Sequence, residues 1–251
     1  MTEPTVEVFV GPTAHGLPNG LLPQIGVRLH PPARRGSIAE LVERQPPGHI
    51  ALVDGRYDDV PAVGHREILA ALAAGWRVTG LGSIGALRAA ELDGFGMTGY
   101  GRVFAHLQAT GAPDDEVALL HGPGPEYRPI TEALVDLRAM AEHLTAADVL
   151  NRAQADAVIS AMARRWFGDR SLPAFLDAVC TAAGRCAADA VREHLRRLPE
   201  VRIKTGDLRN YLTERPWTLP STPAPQVSGR LCPPTAAAGP SSTTSTTRGG
   251  C

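Results

Sequence analysis

The segment WRVTGLGSIGALRAAE, residues Trp76–Glu91, carries the clearest structural pattern in the sequence. It begins with aromatic and β-branched residues, which are typical of a β-strand. The glycines that follow permit a sharp turn with a positive φ and a close approach of the backbone. Residues 86–92 favour a helix with apolar side chains on one face. The stretch therefore predicts a strand, a glycine-rich turn and a helix, in that order.

Ser83 stands in this turn, at the predicted start of the helix. The first backbone N–H groups of a helix have no partner within it, and the helix dipole favours negative charge there. We therefore expect the Ser83 hydroxyl to lie beside an oxyanion-binding site formed by the backbone of Gly82, Ile84 and Gly85.

Three interpretations of the turn are open. Residues 80–85 match the glycine spacing of the dinucleotide-binding fingerprint, but the glycine-rich loop 93–101 offers no strand to carry a ribose-binding acid. The turn also resembles half of the nucleophile elbow of hydrolases, with Leu81 in place of the first glycine. In the third interpretation Ser83 only caps the helix.

Two further strands are predicted upstream, over residues 6–10 and 50–53. The second is a continuous apolar run of the kind found in parallel sheets. Residues 14–33 are rich in proline and glycine, which predicts a long surface segment. After this segment Ser37 is predicted to cap a helix.

Polar residues stand near the ends of these strands. Thr13 follows the first strand, Asp54 follows the second, and His65 opens the helix that leads to the third. The alternation of strand and helix indicates parallel strands, and ligands of such sheets bind beyond the carboxyl ends of the strands. We therefore expect Thr13, Asp54, His65 and Ser83 to gather at that edge.

The remainder of the chain is predicted to be mostly helical. A helix is predicted at residues 103–107, a further strand at 117–120, and several helices from Thr131 onwards. The acidic run Asp114–Glu116 is predicted to be a solvated face. Residues 218–251 are rich in proline, serine and threonine, which predicts a disordered tail.

These elements predict an α/β fold with a small parallel sheet, flanking helices in βαβ units, a C-terminal helical subdomain and a disordered tail. Residues 1–217 are predicted to form one domain, with an α/β core at 6–125 and a helical part at 130–212. Residues 218–251 are predicted to form the tail.

The composition argues against several classes of function. A formal net charge of −1 gives no electrostatic attraction to nucleic acid or to an anionic membrane. No apolar run is long enough to cross a bilayer. The four cysteines form no Cys-x-x-Cys pair, so we expect neither a disulfide framework nor a zinc site. This use of cysteine predicts a cytoplasmic location. We expect no metal and no cofactor.

Lys204 is the single lysine among 25 lysine and arginine residues. A buried lysine can lose its proton near neutral pH, whereas arginine stays charged. Lys204 is therefore a candidate base.

Blocks of residues in a fixed order resemble the TfuA-like family over roughly residues 6–212. The most specific block is Gly82–Leu92, with Gly96, Met97 and Gly99 after it. The supporting blocks are Gly11-Pro12, Val53–Gly55, His65–Leu69, Asp114–Ala118 and Lys204–Asp207.

The resemblance implies a role beside YcaO enzymes, which use ATP to activate a peptide backbone amide during the biosynthesis of ribosomal peptide natural products. In thioamidation the amide oxygen is replaced by sulfur. The implied partners are a YcaO-type enzyme, a ThiS-like sulfur carrier protein and a precursor peptide. The family is also described with a hydrolase-like Ser–Lys site that releases sulfide from the thiocarboxylated carrier.

Carried onto this chain, the resemblance makes Ser83 the nucleophile and Lys204 the general base. The His65 block more often reads His-Lys-Glu in the family, and here Arg66 takes the lysine position. If that lysine is the family's base, Arg66 cannot replace it, and His65 is the substitute.

Four further residues, Asp54, Glu67, Arg88 and Glu91, are expected either to orient this site or to pair with one another. The alternative to a hydrolase is a non-catalytic adaptor that docks the YcaO enzyme and its peptide. A dinucleotide-binding oxidoreductase is the third hypothesis.

Overall fold

The computed structural model describes residues 5–18, 21–22, 24–56 and 59–219, and within them the protein has a five-stranded sheet flanked by helices. The strands are β1 (Val6–Phe9), β2 (Val27–His30), β3 (His49–Leu52), β4 (Arg77–Gly80) and β5 (Thr98–Gly99). Their order across the sheet is β2-β1-β3-β4-β5, and every pair is parallel. The predicted α/β fold class is confirmed.

Helices alternate with these strands. They are α1 (Ser37–Arg44), α2 (His65–Ala73), α3 (Ile84–Glu91) and α4 (Gly101–Thr110). Side chains of a strand point alternately to the two faces of a sheet. In β3, Ile50 and Leu52 therefore pack with α1 and α2 on one face, whereas Ala51 contributes to a separate core on the other face.

The second half of the described chain is helical, as expected. Its helices are α5 (Leu134–Ala146), α6 (Arg152–Ala163), α7 (Leu172–Ala183), α8 (Arg185–Leu195), α9 (Leu198–Val201) and α10 (Ile203–Glu214). Helices α5 to α9 enclose a core of their own. Helix α10 returns to the sheet, where Leu208, Tyr211 and Leu212 are fully buried against the strands.

Two strands were not predicted from the sequence. The segment 14–33 contains β2, which lies at the edge of the sheet. Val27 is the one residue of β2 that is buried, so the strand carries no strong apolar pattern. The loop 93–101 contains the two-residue strand β5. The expectation that no strand follows α3 was therefore wrong.

Two local predictions also need correction. Residues 117–120 form no strand, although Val117 and Ala118 are buried. Ser37 is the first residue of α1 rather than its cap, which is Gly36, and its hydroxyl accepts a hydrogen bond from the Arg34 N–H at 3.0 Å.

The predicted tail lies almost entirely outside the described residues, which end at Leu219. Its first residue, Thr218, belongs to the short 3-10 helix Pro216–Thr218, and Trp217 in this turn is buried against the sheet. None of the helices in the described ranges is both long enough and apolar enough to cross a membrane.

Candidate active site

The turn between β4 and α3 needs each of its glycines for a separate reason. Gly82 has φ = +69°, a conformation that side chains disfavour. A Cβ on Gly80 would lie 2.0 Å from the Gly85 carbonyl oxygen, and a Cβ on Gly85 would lie 1.7 Å from the Leu52 carbonyl oxygen. The start of α3 is therefore packed directly on the backbone of β3.

Ser83 occupies the N-cap position of α3, but its side chain makes no capping hydrogen bond. The hydroxyl instead lies 3.5 Å from the Val117 carbonyl oxygen, a long contact, and only 8% of the residue is exposed. Helix capping therefore does not account for a hydroxyl at this position.

The backbone around Ser83 offers two N–H groups for an oxyanion, not the three expected. Gly85 donates its N–H to the Val53 carbonyl at 3.1 Å, so the expectation that Gly85 serves the oxyanion is not met. The N–H groups of Gly82 and Ile84 have no acceptor within the described residues. Unpaired donors at the start of a helix are suited to hold negative charge.

Lys204 lies in the first turn of α10 and is 2% exposed. Its ammonium group donates a hydrogen bond to the Val117 carbonyl oxygen at 2.9 Å. Ser83 Oγ and Lys204 Nζ therefore contact the same oxygen atom, and their separation is at most the sum of the two contact distances.

Burial lowers the pKa of Lys204 below its ordinary value of 10.5, because the charged form loses its hydration. The carboxylates of Asp54, Asp136 and Glu132 raise the pKa again, but less than burial lowers it. Arg202 pairs with Glu132, and its charge lowers the Lys204 pKa further. The net shift of the pKa is downward, so a larger fraction of Lys204 is neutral than in an exposed lysine.

Asp136 accepts the backbone N–H of Lys204 at 3.2 Å. Burial raises the pKa of Asp136 to about 6, and the charge of Lys204 opposes this shift. Asp136 was not singled out from the sequence. It lies in the first turn of α5, where an acidic residue is common at a helix start and gives no signal of a site.

Asp54 fixes the end of β1 to the end of β3. One carboxylate oxygen accepts the N–H groups of Gly11 and Thr13 at 2.8 and 2.9 Å, and the other accepts the Thr13 hydroxyl at 2.7 Å. Thr13 in turn accepts the Thr205 hydroxyl on its carbonyl at 3.0 Å. This chain of bonds holds the start of α10, and with it Lys204, above the sheet edge.

Asp54, Ser83 and Lys204 line one cavity of about 510 Å³ at the carboxyl edge of the sheet. Residues of the segment from Val117 to Tyr127 line the same cavity. We call this space the inner cavity. The prediction that polar residues gather at this edge holds for Thr13, Asp54 and Ser83, which the structure brings together.

His65 is not part of the inner cavity. Its ring lies 2.7 Å from the Glu91 carboxylate, with about half of the side chain exposed. Arg66 is exposed on the same turn of α2. Because neither side chain lines the cavity, an arginine at position 66 leaves the Ser83 and Lys204 arrangement unchanged, and His65 is not placed to replace Lys204.

The other residues expected to support the site also lie outside the cavity. Glu67 accepts the N–H groups of Gly36 at 3.0 Å and Gly64 at 2.9 Å, so it fastens the starts of α1 and α2. Arg88 donates to the Val63 carbonyl at 3.0 Å and pairs with Glu91. Of the four residues expected to orient the site or to pair with one another, only Asp54 lines the cavity.

The space above Gly82 does not admit a dinucleotide pyrophosphate. A Cβ placed on Gly82 would meet Val53 at 3.1 Å, Thr13 at 3.3 Å and the Lys204 carbonyl at 3.6 Å. The protein itself therefore fills the position where the fingerprint brings a phosphate to the backbone. Strand β5 is followed by Tyr100 and Gly101, so no ribose-binding acid stands at its end.

No group of three or more metal-binding side chains occurs among the described residues. Within the acidic run, Asp115 pairs with Arg170, and Glu116 pairs with Arg138. These two carboxylates serve as ion-pair partners for the helical part.

Together, the fold and this edge define a parallel α/β protein with a buried serine and a buried lysine on one cavity. Residues 54–171, slightly less than half of the chain, match the family described as TfuA-like protein, and this match supports assignment of the chain to that family. At the level of the family only, this match supports a role in the YcaO-associated pathway. No curated protein matches the chain. The matched segment contains Asp54 and Ser83 but ends before Lys204.

Proposed function

We propose that the protein assists a YcaO-type enzyme in thioamidation of a precursor peptide. It hydrolyses a thiocarboxylated ThiS-like carrier protein to release sulfide, and it enhances the binding of the peptide by YcaO. One observation carries the hydrolytic part of the proposal: Ser83 Oγ and Lys204 Nζ contact the same Val117 oxygen on the wall of one cavity.

The proposed reaction has two steps. Ser83 Oγ forms a bond to the carbonyl carbon of the thiocarboxylate, the C–S bond breaks, and the products are a serine ester and HS⁻. Water then adds to the ester carbon and the C–O bond to Ser83 breaks: one proton of the water returns to the Ser83 oxygen, the other passes to solvent, and the carrier leaves as a carboxylate. In each step negative charge develops on the carbonyl oxygen. The N–H groups of Gly82 and Ile84 would stabilise it, at about 3 kcal/mol per donor.

Lys204 moves the protons in this scheme. The neutral amine takes the proton of the Ser83 hydroxyl during the attack and gives it to the departing sulfur, so proton and charge balance over the first step. A lysine with an ordinary pKa would be almost fully charged near neutral pH. The burial that lowers the Lys204 pKa therefore increases the fraction able to act as a base.

The test is sulfide release from a purified thiocarboxylated carrier by the Ser83→Ala protein. We expect sulfide release to fall by at least about a hundredfold, because loss of a catalytic nucleophile lowers the rate by at least this factor. Ser160→Ala is the matched control, because Ser160 is exposed on α6 outside the cavity and should leave release unchanged. Unchanged release by Ser83→Ala would remove the nucleophile assignment.

The adaptor is the second candidate, and an exposed aromatic residue favours it. Trp166 is 55% exposed and lies 5.0 Å, between ring centroids, from Phe167, which lines the inner cavity. Large exposed aromatic residues are typical of protein-binding surfaces. If the adaptor role is the whole function, the Ser83→Ala protein supports normal thioamidation with free sulfide, and the native protein releases no sulfide from the carrier.

A further inference from the structure

A second cavity of about 310 Å³ adjoins the inner cavity. Arg56 and Tyr127 line both, so the two spaces meet at these side chains. We call the second space the outer chamber. Its walls come from α1, from the end of β2 and from the segment before α1.

The outer chamber is basic. Within the described residues, its lining contains three arginines, Arg34, Arg44 and Arg56, and a single carboxylate, Glu40. Arg34 lies 3.6 Å from Glu40, and Arg56 pairs with Asp59. Arg44 has no carboxylate partner among the described residues. It is therefore the charge most open to a negatively charged group from outside.

We propose that the inner cavity and the outer chamber form one groove for the extended end of a polypeptide. The reacting terminus lies at Ser83, the backbone passes between Arg56 and Tyr127, and an acidic side chain upstream pairs with Arg44. The identity of the reacting terminus depends on the proposed function, whereas the groove and its charge do not.

The shape of the two spaces favours a polypeptide over a small thioacid. A free thioacid of a few atoms would occupy only part of the inner cavity and would leave the outer chamber unused. An extended chain can reach from one space to the other, because it advances about 3.3 Å per residue. The charge of the outer chamber favours an acidic polypeptide over a basic one, because the arginines would attract an acidic side chain and repel a basic one.

The test measures binding without hydrolysis. The probe is the fluorescein-labelled peptide Glu-Glu-Val-Gly-Gly with a free carboxylate end, added to the full-length Ser83→Ala protein and followed by fluorescence anisotropy. A second substitution, Arg44→Glu, should weaken binding by about tenfold at low salt, with a smaller difference at high salt. Arg185→Glu is the matched control, because Arg185 is exposed on α8 and lines neither space.

A Lys-Lys-Val-Gly-Gly probe should show the opposite preference, with tighter binding to Arg44→Glu than to its parent. If Arg44→Glu and Arg185→Glu bind the acidic probe with equal affinity, the proposed groove is wrong. The proposal is also wrong if the Ser83→Ala protein does not bind the acidic probe.

Two outcomes separate this inference from the proposed function. Arg44-dependent binding of the probe, with no sulfide release by the native protein, would support the groove and refute the hydrolysis. Sulfide release from the carrier with the same KM in native protein and Arg44→Glu would support the hydrolysis and refute the groove.

Discussion

Replacing Gly85 with alanine tests the packing on which the site depends. The added Cβ would lie 1.7 Å from the Leu52 carbonyl oxygen and 2.5 Å from its carbonyl carbon. Both atoms belong to the backbone of β3, so no side-chain rotation relieves the contact. The start of α3, which carries Ser83, would have to move away from the sheet.

The size of the effect follows from this displacement. A carbon and a carbonyl oxygen approach to about 3.3 Å, so the start of α3 must move by roughly 1.5 Å. Overpacking of this kind costs about 1–3 kcal/mol. The displacement also breaks the hydrogen bond from Gly85 to Val53, which contributes about 1 kcal/mol. We expect the free energy of unfolding to fall by about 3 kcal/mol.

Replacing Gly206 with alanine should instead raise the free energy of unfolding. Gly206 lies inside α10, and the nearest atom to an added Cβ is the end of the Arg209 side chain at 4.0 Å. Alanine favours a helix over glycine by up to about 1 kcal/mol. Urea unfolding of both variants, followed by circular dichroism, measures the two changes. If the free energy of unfolding of Gly85→Ala lies within about 0.5 kcal/mol of the native value, the start of α3 is not packed on the backbone of β3 as described.

Two predictions concern pH. Burial, aided by Arg77, lowers the His49 pKa from 6.5 to about 4, so protonation opposes folding. The free energy of unfolding should fall by about 3 kcal/mol from pH 7 to 4, and His49→Gln should flatten this slope in urea titrations. Sulfide release should rise with pH through the lowered Lys204 pKa, below 10.5, because only the neutral amine accepts the Ser83 proton. A flat profile would contradict this role.

The sheet edge could be predicted because it follows from topology alone. Parallel strands end at one edge, so residues directly after strands, such as Asp54 and Ser83, are brought together. His65 was grouped with them, but it follows its strand by a long connection that carries it to the surface beside Glu91. The rule holds for residues at a strand end and fails for residues beyond a loop.

Lys204 is a candidate on a different ground, because it is the single lysine in an arginine-rich chain. Neither periodicity nor spacing placed Lys204 near Ser83, since α10 docks on the sheet only after the whole helical part. The atom that both side chains contact is the backbone oxygen of Val117, which has no sequence signal. Residues 117–120 were expected to form a strand because a short buried apolar run has no distinctive period.

The position of Lys204 has a consequence for where the proposed activity resides. The family match ends at residue 171, whereas the lysine and the contacts that hold it lie in α10. Thr205 bonds to the Thr13 carbonyl, and Asp207 accepts the N–H groups of Arg102 and Val103 at the start of α4. The matched segment alone therefore contains the proposed nucleophile, Ser83, but not the proposed base, and the docking of α10 completes the candidate site.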